Sequence, residues 1–150
     1  MTDIVVDTNI VFSALLNTDS RIAQILIIGK KHFDFYAPEY MREEIINHKQ
    51  KIKKIAQLNE NQFQETYHLI TKNIDILNHQ LISEETFNKA FNLCKNIDED
   101  DTIFLALNEY IKGTLWTGDK KLIQGLLKYK YSKIITTEHI YQKMIKLDRV

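Results

Sequence analysis

The chain has one cysteine, one proline and four glycines among its 150 residues. A lone cysteine, Cys94, excludes an internal disulfide framework and a zinc site built from one chain's cysteines. With so little Pro and Gly there is no linker, repeat or low-complexity block, so residues 1–150 read as a single domain. No apolar run approaches the ~18 residues that a membrane span requires. Met1–Asp7 carries Asp3 and no basic residue, so no signal peptide is expected there. Nor does one sign of charge dominate, since twenty Lys and Arg face twenty Asp and Glu. That balance excludes a polycation of the basic-arm type, and any nucleic-acid surface must arise from local segregation of charge. A Gly-rich phosphate loop is missing, and Ser13 has no nucleophile-elbow context. The histidines (His32, His48, His68, His79 and His139) show no paired metal spacing, which leaves His48 as a weak phosphate contact. The expectation is a soluble, reduced, cytoplasmic protein without membrane contact.

What is present is globular: 44% hydrophobic and 27% charged residues, in a chain long enough to bury roughly 70% of its unfolded surface. Short apolar runs alternate with helical patterns. Ile4–Val6, Phe33–Tyr36, Ile74–Leu77, Thr114–Thr117 and Lys133–Thr136 read as strands. Helices are expected over Asn9–Leu16, Ser20–Ile28 with Gly29 as its C′ residue, and Pro38 to about Ala56. Further helices fit Asn59–Lys72, Ser83–Leu93, Asp101–Ile111, Lys121–Leu127 and Glu138–Leu147. Phe87, Ala90, Phe91 and Cys94 share one face of the Ser83 helix. Strands alternating with helices imply a parallel sheet covered on both faces, which binds ligands beyond the carboxyl ends of its strands.

That rule singles out aspartates. Asp7 ends Ile4–Val6, and Asp119 follows Leu115–Gly118. Asp98–Glu99–Asp100–Asp101 precedes an apolar helix, and Glu43–Glu44 lies in the helix after Pro38. An Asp at a strand end also serves as a turn former or N-cap, and acids before a helix favour its dipole. A helix needs one cap, however, not four like charges. Carboxylates converging on one cleft raise each other's pKa, and a hard divalent cation relieves the repulsion. Such an ion can activate water and clamp a phosphate.

These residues resemble the PIN-domain family. Val5–Val6–Asp7–Thr8–Asn9–Ile10–Val11 is similar to its opening motif, and Tyr36–Ala37–Pro38 with Glu43–Glu44–Ile45 to its acid on an early helix. Asp98 to Leu107 resembles its acidic-then-apolar motif, and Trp116–Thr117–Gly118–Asp119–Lys120–Lys121–Leu122 its closing strand exit. The resemblance implies a three-layer α/β/α sandwich with a central, mostly parallel sheet. It also implies a Mg²⁺- or Mn²⁺-dependent ribonuclease that leaves a 5′-phosphate and a 3′-hydroxyl, as in the toxins of bacterial toxin–antitoxin pairs. Carried over by motif, the catalytic and metal-binding acids are Asp7, Glu44, Asp101 and Asp119, with Asp98 in reserve. Thr8, Asn9 and Thr117 would orient them. The chain departs from the family at Lys121, where many members carry a further acid, and at Asn108, where Ala is frequent.

Basic residues would bring in single-stranded or structured RNA. Lys49, Lys51, Lys53 and Lys54 are expected on the helix of Glu44, and Lys120 and Lys121 flank Asp119. Eight basic residues face three acidic ones between Asp119 and Val150. Tyr129 and Tyr131 lie among them as stacking candidates or partly buried residues. The resemblance further implies a neutralising antitoxin and, as is frequent among relatives, a homodimer. Two other readings remain at this stage. One is a PIN-fold interaction module without turnover; the other is a metal-dependent phosphohydrolase on small substrates or a phospho-accepting receiver, for which Asp75 would be the acceptor.

Overall fold

The computed structural model describes residues 1–149. Five strands form one parallel sheet in the order β3-β2-β1-β4-β5: β1 (Thr2–Val6), β2 (Phe33–Pro38), β3 (Ile74–Leu77), β4 (Thr114–Trp116) and β5 (Ile134–Ile135). Every adjacent pair is parallel, with Val5 opposite Tyr36 and Leu115, and Trp116 opposite Ile135. Successive residues Ile4, Val5 and Val6 are all fully buried, although their side chains point to opposite faces. Both faces of the sheet are therefore covered, as in a three-layer α/β/α sandwich.

The helices are α1 (Thr8–Leu16), α2 (Arg21–Ile28), α3 (Glu39–Asn47), α4 (Lys49–Ala56), α5 (Glu60–Thr71), α6 (Glu84–Cys94), α7 (Thr102–Ile111), α8 (Lys120–Lys128) and α9 (Thr137–Asp148). Short 3₁₀ turns occupy Gly29–Lys31, His79–Leu81 and Glu99–Asp101. α7 lies on β1, β2 and β4 with α6 beyond it, while α1 and α2 group with α4, α5 and α9. Side-chain caps start many of the helices. Ser20 accepts from Ala23 N, Ser83 from Thr86 N, and Asn59 and Gln62 form a reciprocal capping box.

Several expectations need correcting. Gly29 is not a left-handed cap: its φ is −75°, and the chain tightens into a 3₁₀ turn. Its small size serves close packing instead, because a Cβ there would stand 3.3 Å from Phe35 Cζ. The left-handed positions are Gln57, Lys112 and Lys130. The helix expected from Pro38 to Ala56 is two helices, broken at His48. A continuous stripe through Met41, Ile45 and Ile52 would carry His48 and Lys49 towards the core. The break leaves His48 exposed, edge-on to Phe12, and lets Lys49 pair with Glu60. Lys49 and Lys51 therefore do not share a helix with Glu44. On α6, Ala90 and Cys94 are buried, but Phe87 is 39% exposed.

Candidate functional site

The chain runs outward from β1 to β2 and β3, then returns to β4 on the other side of β1. The connections out of β1 and β4 thus diverge, which opens a crevice at the carboxyl ends of those neighbouring strands. Asp7 and Asp119 stand there. Asp7 N–H donates to Trp116 O at 3.0 Å, which extends the β1–β4 ladder one residue past β1. Thr117, fully buried beyond β4, links the two acids. Its hydroxyl donates to Asp7 Oδ2 at 2.8 Å and accepts from Asp119 N–H at 3.1 Å.

A cavity of about 300 Å³ fills the crevice, lined by Asp7, Glu44, Asp101 and Asp119 together with Thr8, Asn9, Phe12, His48 and Lys51. Four carboxylates from four distant segments therefore line one cavity. Each is held differently. Asp7 occupies the N-cap position of α1 without capping it, because its oxygen faces Thr117. Burial, with the nearby charges of Glu44 and Asp119, raises its pKa to about 6 against the opposing hydrogen bond from Thr117. Glu44 accepts from Thr8 Oγ1 at 2.6 Å, and partial burial raises its pKa. Asp119 is the N-cap of α8, its Oδ1 accepting from Lys121 N and Leu122 N at 3.0 and 3.2 Å. Asp101 closes the 3₁₀ turn before α7 and caps nothing. Its Oδ2 is buried without a hydrogen-bond partner. Burial and the charges of Asp7, Asp98, Asp119 and Glu44 push its pKa up to about 8.

The neighbouring acids diverge from this set. Glu43 and Asp100 line a separate groove with Tyr40 and Phe87. Asp98 is exposed, outside the cavity lining, and accepts from Asp100 N at 3.0 Å. Asp75 sits exposed inside edge strand β3, away from the carboxylate cavity. Among the expected orienting residues, Thr8 and Thr117 each hold a carboxylate, whereas Asn9 lines the cavity with its Oδ1 buried and unpartnered. Among the basic candidates, only Lys51 lines the cavity, its ammonium 5.9 Å from the centre of the Phe12 ring. Lys49 is held by Glu60, while Lys120 and Lys121 lie exposed at the start of α8. Tyr131 is withdrawn from the surface, its hydroxyl accepting from Asn108 Nδ2 at 2.9 Å, whereas Tyr129 is half exposed. Phe12 was not singled out as a cavity residue and His48 only as a weak phosphate contact, yet each stands one helical turn beyond a site residue, Thr8 and Glu44 respectively.

An acid-lined cavity with an unpartnered carboxylate oxygen suits a hard cation. As they stand, however, no three His, Cys, Asp or Glu side chains among the described residues are grouped closely enough to hold a metal ion. Three of the four carboxylates are drawn instead to Thr117, Thr8 and the first turn of α8.

The PIN-domain family model matches residues 5–144. The chain belongs to the PIN-domain family. It is also 31% identical over 135 residues to uncharacterized protein MJ1680 of Methanocaldococcus jannaschii, covering 87% of this chain and 79% of that one. Two solved structures share the fold of this PIN domain. VapBC2 from Rickettsia felis, bound to a DNA fragment from its promoter, aligns with a TM-score of 0.64 and 14% identity over 90% of this chain and 97% of that one. A toxin–antitoxin complex from Klebsiella pneumoniae aligns at 0.59 with 18% identity, over 89% and 96% of the two chains. Among the described residues no single helix is long and apolar enough to cross a membrane.

Proposed function

We propose that this PIN domain is a divalent-cation-dependent endoribonuclease and the toxin of a toxin–antitoxin pair. The observation that carries the reading is the cavity where Asp7, Glu44, Asp101 and Asp119 meet, with Asp101 Oδ2 buried and unpartnered. These four acids would hold Mg²⁺ or Mn²⁺. Bound there, the ion would lower the pKa of water and offset charge on a phosphodiester. Thr117 and Thr8 each hold one carboxylate, Asp7 and Glu44, by a hydrogen bond and would orient it as a cation draws the acids together. Glu44, with one oxygen engaged by Thr8, would either complete the cation's shell with its other oxygen or accept with it a proton from the attacking water. Lys51 on the cavity wall, with Lys120 and Lys121 beside Asp119, would offset repulsion of the RNA backbone without reading its sequence. The structural resemblance to two toxin–antitoxin complexes supports an antitoxin as partner.

A cleavage assay on single-stranded RNA with Mg²⁺ or Mn²⁺ tests this. Asp7→Asn, Asp101→Asn and Asp119→Asn should each lose more activity than the ~10–100-fold typical of removing an orienting partner, and Thr117→Val should fall within that range. The folded state, followed by circular dichroism, should persist in all four. Wild-type protein inactive with both metals, or variants that cut normally, would contradict the proposal.

A second reading, a PIN-fold interaction module without turnover, rests on the absence of a ready three-donor metal geometry among the described residues. It predicts no cleavage and no thermal stabilisation by Mn²⁺. A cation binder instead gains stability as RT ln(1 + [L]/Kd).

A further inference from the structure

The sheet is open at β5. This strand pairs with β4 alone, so the outer backbone edge of Ile134 and Ile135 has no strand partner among the described residues. A groove of about 750 Å³ runs between that edge and α9. Its floor is aliphatic, made by Ile134, Ile135 and Ile145. Beside Gln142, its rim is basic and, among the described residues, contains no carboxylate: His139, Lys143, Lys146 and Arg149. These four stand three or four residues apart and so descend one face of α9. The acids of α9 are engaged elsewhere. Glu138 pairs with Arg21 at 2.6 Å, and Asp148 with Lys31 at 3.0 Å and His32 at 2.6 Å. The helix thus ties its carboxylates to α2 and the turn after it, and leaves its bases over the open groove.

We propose that this groove docks an extended segment of a partner protein, rich in acidic and aliphatic residues, which adds to β5 as a further strand. Unpaired edge amides recruit an extended chain through its backbone, and flanking pockets select its side chains. Aliphatic side chains of the segment cover Ile134, Ile135 and Ile145, while its carboxylates meet Lys143, Lys146 and Arg149. Charge complementarity identifies an acidic occupant. The aliphatic floor favours a peptide over a nucleic acid, because among the described residues no Phe, Tyr or Trp ring lines the groove to stack a base. The groove shares no residue with the carboxylate cavity, so the inference stands apart from the nuclease reading.

The test is a nuclear magnetic resonance titration of the full-length protein with a peptide of alternating glutamate and valine. Alternating lysine and valine, and an oligouridylate, serve as separate arms. The acidic peptide should shift the amides of Ile134, Ile135 and α9 saturably. A Lys143→Glu/Lys146→Glu variant should weaken that binding by about tenfold while melting as wild type does. If the double variant melts early, Lys146→Gln repeats the comparison. The proposal is overturned if the acidic peptide causes no saturable shift at these residues or binds both variants as tightly as wild type. It is equally overturned if the basic peptide binds as well, or if oligouridylate occupies this groove instead.

Discussion

At Asp101, burial and the charges of Asp7, Asp98, Asp119 and Glu44 all act in one direction and hold its pKa near 8. The ordinary value is 3.8, so between about pH 4 and 8 the folded chain keeps a proton that the unfolded chain releases. The corresponding stability is present in full below that range and is lost as pH rises through it. Asp7, near 6, adds to the loss in the lower half of the range. With a chelator present, the melting temperature should therefore fall steadily from pH 5 to pH 8. Asp101→Asn should flatten that profile and melt above wild type at pH 8; identical profiles for the two proteins would contradict this. Asp7 and Asp119 stood out because each follows an apolar strand, Ile4–Val6 and Leu115–Gly118, whereas Asp101 and Glu44 were separated from their acidic neighbours only by the family resemblance. Phe12 was not legible and His48 only faintly so, as a weak phosphate contact, since an aromatic on an apolar helix and a histidine near lysines read equally well as packing and surface.

Among the elements, the helix starts followed from local chemistry. Ser20, Asn59 and Ser83 each cap the helix behind them with a side-chain oxygen, and Thr136, expected at the end of a strand, caps α9. Asn59→Ala removes one half of the capping box on α5, a helix with no residue in the carboxylate cavity. Urea denaturation should show a loss of about 1 kcal/mol, with RNA cleavage unchanged. An unchanged denaturation midpoint would mean that the cap contributes nothing. The break between α3 and α4 was hidden because Met41, Ile45 and Ile52 keep helical spacing across it. Only the tertiary partners, Phe12 for His48 and Glu60 for Lys49, show why the chain turns there. The end of α2 was misread for a related reason. Glycine is the usual left-handed residue, but a chain with four glycines places Gln57, Lys112 and Lys130 in that conformation. Gly113 serves a different need, since a Cβ there would meet Asp3 O at 2.8 Å.

Over the whole molecule, a parallel sheet with both faces covered followed from short apolar strands alternating with amphipathic helices. The strand order did not, because it is set by which helices cross which face, and no local pattern encodes that. The order places β1 beside β4 and so brings Asp7 next to Asp119 across 112 positions of chain. The meeting of the carboxylates is thus a property of topology, and the cation they are proposed to hold is the claim on which the function depends. A crystal of the wild-type protein soaked in Mn²⁺ and measured at the manganese absorption edge tests it most directly. The account predicts an anomalous peak among Asp7, Glu44, Asp101 and Asp119, with Asp101 turned to meet it. A fully soaked crystal with no peak in that cavity, or with manganese bound only elsewhere, would contradict it.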